Sequence, residues 1–385
     1  GHSITMTKTF SNIRVKIENL PTDKTLEDLL PTGYLGRKLS VTLTGTKSII
    51  EELRSTDLEV VLDSQGKGTI WTGEINKKNL ICLNPEIDLI HSISDISHSD
   101  FLIELENLIT AEIPISVIKP RGESPFGYHF LDVWPRKLTL TVSGPEDKIL
   151  DWKQKGAELA FDLSAIKKEE LDFLSEKYSD DEIVYYVPDS WKKIAVPFLN
   201  DSLELINDPQ VESLHIDFLR EEVIPLGQEI PVSLFYPIDN LEQINPVESV
   251  LSISPVLSEI HGTKVLNMPL YVKDVSQLFL ETVRDQLQVV IIVEPQDSEG
   301  TLPWSVQLIH PQSLEKDYIN HLQLVSKVSP NADTLPNDDE DSYLSQRFRK
   351  YMRQFKLVNE LGKELNLETI LKGNVIVLKD VTKEN

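Results

Sequence analysis

RKLSVTLTGTKSIIEELRSTDLEVVLD, residues 37–63, decides how the rest of the chain is read. VTLTG alternates with a period of two, as a half-buried strand does, and Gly45 stands where the backbone is expected to turn. KSIIEELRS then places Ile49 and Leu53 on one helical face, and LEVVLD returns as a strand. The segment therefore predicts strand, turn, helix, strand, with one helix covering a small sheet.

The same segment occurs again. Residues 136–162, RKLTLTVSGPEDKILDWKQKGAELAFD, align with it without gaps at an offset of 99, with eight identities in 27 positions. Gly144 matches Gly45, Asp162 matches Asp63, and Ile149 and Trp152 supply the helical face. Upstream, EIPISVIKP (112–120) matches EIPVSLFYP (229–237) at an offset of 117. NIRVKIENL, from Asn12, has the same alternating form. That second pair of seeds implies a third copy, which LYVKDVSQLFLETVRDQLQVVII (270–292) supplies, with Asp274 in place of the turn glycine.

Each copy is expected to close on a further strand: FLIEL from Phe101, LHIDF from Leu214 and HLQLV from His321. The expected fold is α+β and β-rich, with tandem small domains at 1–108, 109–224 and 225–328, each bearing one short helix. Short linkers suggest a semi-rigid rod. Residues 329–385 form an acidic linker, including Asp338 to Asp341, and a helical tail from about Ser342 to Leu365, with NVIVLKD as a last strand.

With 38 basic and 62 acidic residues the net charge is −24, which repels a phosphate backbone and excludes nucleic acid as a general partner. Cys82 stands alone, so no internal disulfide or thiolate metal cluster can form, and its apolar surroundings suggest a small core hydrophobe. No apolar run reaches the length of a membrane span. Gly1-His2-Ser3 reads as the scar of a cleaved tag, so a native leader or anchor is expected to precede it.

An alternating strand ending in Gly or Gly144-Pro145, a short helix, and a strand closing in Asp162-Leu163-Ser164 together resemble the bacterial YbbR domain. Pro-x-Gly-Tyr at 31–34 and again at 125–128, and TKTFSNIRVKIENLP near the amino terminus, are similar to the same family. The resemblance covers residues 7–328 and is strongest in the second copy. It implies small mixed sheets of exchanged strands, one amino-terminal transmembrane helix, and an extracytoplasmic location at the cell membrane. It also implies a regulatory partner, the membrane diadenylate cyclase that makes cyclic di-AMP. It carries over no catalytic residue and no cofactor. The helical tail lies outside it.

Sites of chemistry are sparse. His91 and His98 are seven residues apart, about 23 Å along a strand, so a surface-loop reading is preferred to a metal site. Asp63 and Asp162 recur at equal positions and are expected to cap turns. No nucleophile elbow or phosphate-binding Gly-rich loop is present, so the chain is read as no enzyme. A hidden hydrolase would need a deep pocket with clustered carboxyls. An alternative of another class is a structural or envelope polysaccharide-binding module using Trp71, Trp134 and Trp191.

One segment opposes the global charge. RFRKYMRQFK carries Arg347, Arg349, Lys350, Arg353 and Lys356 beside an apolar stripe of Leu344, Phe348, Met352 and Phe355. Either the stripe packs on the acidic body and the bases neutralise it, or the five bases bind a partner or lipid.

Overall fold

The computed structural model describes residues 4–240, 250–294, 300–328 and 337–382. The protein is strand-rich α+β. It divides into two compact units: residues 1–118, 135–160 and 188–212 form unit 1, and residues 119–134, 161–187 and 213–385 form unit 2. The sequence repeats change over at 108, 224 and 328, so the second copy contributes segments to both units.

Unit 1 contains the β-turn-α-β element twice. In the first, β1 (Thr5–Glu18) pairs antiparallel with β2 (Tyr34–Thr46) and parallel with β3 (Leu58–Asp63), and α1 (Lys47–Glu52) connects the two partners. In the second, β4 (Glu106–Val117) pairs antiparallel with β5 (Lys137–Pro145) and parallel with β6 (Ala157–Leu159), across α2 (Glu146–Lys155). The aligned residues thus build the same three-strand order. Val41 and Leu43 of β2 alternate with the half-buried Thr42 and Thr44 and are buried with Val60 and Leu62 of β3, where burial extends to Leu58 and Glu59 as well. Helix α2 buries Ile149 and Trp152 and ends at Gly156, whose N–H still bonds the Trp152 carbonyl at 2.7 Å and whose φ of 71° turns the chain out of the helix.

The two turn glycines serve another purpose than the one expected. Neither has a positive φ. Gly45 lies within β2, where a Cβ would run into the Ser92 carbonyl oxygen, and a Cβ on Gly144 would stand 2.7 Å from the Phe198 ring. Close approach of a distant segment, not a turn, demands the missing side chain. The third copy reverses this: Asp274, at the equivalent place, adopts φ 66°. Helix α1 differs too: it buries Ile50 and leaves Ile49 half-buried, and Leu53 is buried just past its end.

In unit 2, β7 (Val232–Phe235) pairs parallel with β8 (Leu287–Ile292), which follows α3 (Gln277–Val283) and pairs antiparallel with β9 (Trp304–Leu308). A separate sheet runs Tyr128–Trp134, His215–Arg220, Glu182–Tyr186. One core cluster joins Val272, Phe279, Val283, Val289 and Ile291 to residues of two helices, α4 (Pro311–Val328) and α5 (Asn337–Gln354).

Those helices correct three expectations. HLQLV is part of α4 and not a strand: Leu314 and Tyr318, four apart, are buried, and the helical period governs the whole segment. The strand that pairs after β8 is β9. Asp338 to Asp341 belong to the first turns of α5 and not to a linker; residues 329–336 lie outside the described residues. The tail helix stops at Gln354 instead of Leu365, because Leu357 and Val358 are buried in β10 (Lys356–Val358), which pairs with Tyr271–Lys273. NVIVLKD does form a strand, Val375–Asp380.

Candidate functional site

Tyr343, Arg347 and Tyr351 follow one another at four-residue intervals and so share one face of α5. That face turns inward. Arg347, 5% exposed, donates from Nη2 to Asp217 Oδ2 at 2.6 Å and to the Tyr343 hydroxyl at 2.6 Å. Its Nη1 lies 3.2 Å from Glu182 Oε2, and the Tyr351 hydroxyl donates to Glu182 Oε1. The Tyr343 ring in turn packs against Trp134 with centroids 5.1 Å apart. Burial pushes the Glu182 carboxyl up, and the guanidinium opposes that shift. The pairing ties α5 to two strands of the neighbouring sheet through a charge that would be costly to leave alone.

Lys350 also faces inward. Its ammonium donates to the carbonyls of Phe130 and Leu131 and lies 5.2 Å from the Phe130 ring centroid. Burial lowers it to about 8. The remaining three bases are exposed: Arg349, whose Nε reaches Glu315 Oε1 at 3.1 Å, Arg353, and Lys356 on β10. The structure therefore divides the five sequence-predicted bases into two that bind the interior and three on the surface.

Arg349 and Arg353 flank a groove of about 760 Å³ between α4 and α5. Lys316 stands on the α4 side, and Ile319, Phe348 and Met352 form the apolar floor. Of the predicted apolar stripe, Phe348 is buried, while Leu344, Met352 and Phe355 are half-buried.

Unit 1 holds a second cavity, about 480 Å³, that sequence reasoning missed. Trp152 and Phe198, edge to face at 6.0 Å, form its apolar wall together with Leu30. Three carboxylates line it, and each meets a base: Glu27 with Lys148 at 3.1 Å, Asp28 with Arg37 at 2.9 Å, and Asp151 with Lys155 at 3.1 Å. The lining comes from three separated stretches of chain, so no local motif announces it.

The other candidates fall as follows. Asp63 accepts from the Asn19 side chain and the Gln65 N–H, both at 2.9 Å. Asp162 accepts from the Ser164 hydroxyl and from its N–H at 3.0 Å. Both are turn caps whose hydrogen bonds hold the carboxyl below the usual range. The two histidines are not in a loop: His91 closes the short helix Leu89–Ser92, paired with Asp88, and His98 ends the strand Ile93–His98, where its Nε2 accepts from the Ile75 N–H at 3.2 Å. Among the described residues no group of three or more His, Cys, Asp or Glu is placed to hold a metal. Cys82 is half-buried on the strand Leu80–Cys82. Trp71, Trp134 and Trp191 are half-buried and not the open platforms expected of sugar-binding aromatics. Among the described residues no helix is long and apolar enough to cross a membrane.

No family model matches the sequence, and no curated protein matches it. Among solved structures, the chain is similar to a YbbR-like protein from Streptococcus pneumoniae TIGR4, at 12% identity over 39% of this chain and 72% of that one, with a TM-score of 0.24.

Proposed function

We propose that the chain is the extracytoplasmic part of a membrane-anchored, non-enzymatic adaptor that binds and regulates a membrane diadenylate cyclase. The observation that carries this reading is the repeated unit. Aligned residues at 37–63 and 136–162 build the same sheet order twice, an opening strand flanked by an antiparallel and a parallel partner. They do so in segments whose Pro-x-Gly-Tyr and Asp-Leu-Ser motifs resemble the YbbR domain. The surface bases Arg349 and Arg353, beside an apolar groove, give such an adaptor a place to hold a partner. Co-purification of the two proteins, together with cyclic di-AMP output in the presence and absence of this chain, tests the reading. Absence of association with unchanged output overturns it.

A second reading, envelope polysaccharide binding, draws on the cavity of unit 1, where an aromatic wall and several polar side chains surround a space of ligand size. Titration with soluble cell-wall fragments, followed by tryptophan fluorescence, tests it. A response unchanged by Phe198→Ala rejects it.

A further inference from the structure

The groove between α4 and α5 has features that specify an occupant. Its walls are spaced as helix-packing seams are: Ser345, Phe348, Met352 on one side and Gln312, Glu315, Ile319 on the other recur at intervals of three and four. Two such seams side by side offer knobs and holes for a third helix. The apolar surface open to a partner comes from the half-buried Ile319 and Met352, with Phe348 packed beneath them in the core. The wall residues run from 312 to 319 and from 345 to 352, about two helical turns at roughly 1.5 Å per residue.

Charge narrows the partner further. Among the described residues lining the groove, Lys316, Arg349 and Arg353 stand with one carboxylate, Glu315, which Arg349 engages. The chain as a whole carries −24, so three bases gathered on one groove stand out against an acidic background and favour an acidic segment.

We propose that the α4/α5 groove seats an acidic amphipathic helix of a protein partner, with apolar side chains at i, i+3 or i+4, and i+7 against the half-buried Ile319 and Met352, and carboxylates on Lys316, Arg349 and Arg353. The proposal deepens the adaptor reading by naming the chemistry of the bound segment.

The test displays a library of random peptides of about 18 residues, long enough to hold a helix on a support, to the immobilised full chain. Selected peptides are measured by fluorescence anisotropy against the parent, Arg349→Glu, Arg353→Glu and Met352→Asp. The two charge reversals lie on exposed positions and keep the test valid if Met352→Asp folds poorly. The expected result is enrichment of acidic sequences with the stated apolar spacing, affinity that falls with salt, and a loss of about tenfold or more on either charge reversal. Enrichment of basic or uncharged sequences, no enrichment, or indifference to both reversals overturns the proposal. So does binding to vesicles of phosphatidylcholine with about 30% phosphatidylglycerol, or self-association of the chain that the reversals abolish. No cyclase is present in the experiment, so its failure leaves the adaptor reading intact, and failed co-purification with the cyclase leaves the groove standing.

Discussion

Helix α2 buries Ile149 and Trp152 and leaves Lys148, Lys153 and Lys155 exposed, whereas α5 buries the guanidinium of Arg347 more deeply than Leu344, Met352 or Phe355. Both sequences have the same 3.6-residue rhythm. The difference teaches that periodicity locates the seam of a helix but not the chemistry of that seam. In α2 the seam is hydrocarbon and aromatic against a sheet of its own repeat. In α5 it is an ionic and hydrogen-bonded connection to strands encoded more than a hundred residues earlier, with 130 residues between Asp217 and Arg347.

The largest expected effect breaks the α5 seam. Arg347→Met leaves Asp217 and Glu182 buried without their cation, and chemical denaturation should show a loss of about 3–5 kcal/mol. Adding Asp217→Leu and Glu182→Leu should recover much of it, since an apolar seam of similar volume is then complete. A small loss for the single variant would make α5 equivalent to α2.

Next comes a test of the repeat. Gly144→Ala forces a methyl group against the Phe198 ring and should cost about 1–3 kcal/mol by overpacking. Phe198→Leu in the same chain should restore part of that. If the alanine variant is as stable as the parent, the glycine is not held by close approach.

A pH-dependent difference of intermediate size is expected at Asp181, which accepts from the Gln277 N–H at 2.8 Å where α3 begins. Burial pushes its carboxyl up to about 7, against about 3.9 in an unfolded chain. The folded protein thus binds this proton more tightly, so the group's contribution is full below about pH 4 and is lost as the pH rises through about 7. Asp181→Asn keeps an acceptor for Gln277 and removes the titration. Plotted against pH, its stability relative to the parent should rise between those values and level off above; a flat difference would place the carboxyl in its usual range.

The smallest stability effect belongs to the groove. Arg349→Glu and Arg353→Glu change exposed side chains and should leave the unfolding midpoint where it is, in contrast to Arg347 on the same helix. Thermal melting followed by circular dichroism checks this, and a large shift in either variant would show that these bases also serve the fold.

The β-turn-α-β element was legible because its strands and helices are short, locally patterned and present twice. The roles of Gly45 and Gly144 were not, since the Ser92 carbonyl and the Phe198 ring that exclude a side chain come from elsewhere in the chain. HLQLV alternates over only five residues, too few to separate a strand from one face of a helix, and the burial of Leu314 and Tyr318 upstream decided it. Of the binding candidate, the sequence named Arg349 and Arg353, which line the groove, but not Lys316 on the opposite helix. It did not reveal which bases turn inward, because that depends on Asp217, Glu182 and two backbone carbonyls supplied by other strands. The facing wall of the groove, on α4, was concealed by reading part of that helix as a strand.

The Arg347 pairing also sets an order of events during synthesis. Asp217 leaves the ribosome 130 residues before its cation, an interval of about 6–26 s at roughly 5–20 residues per second. Until then Asp217 and Glu182 have no guanidinium to meet and are better left in water than enclosed. The sheet of the first β-turn-α-β element draws its two edge strands from Leu80–Cys82 and Ile93–His98, all made within the first hundred residues, so it can close early. Unit 2 closes later still, because α5 and the strands after it, through Ile376 and Leu378, complete its core.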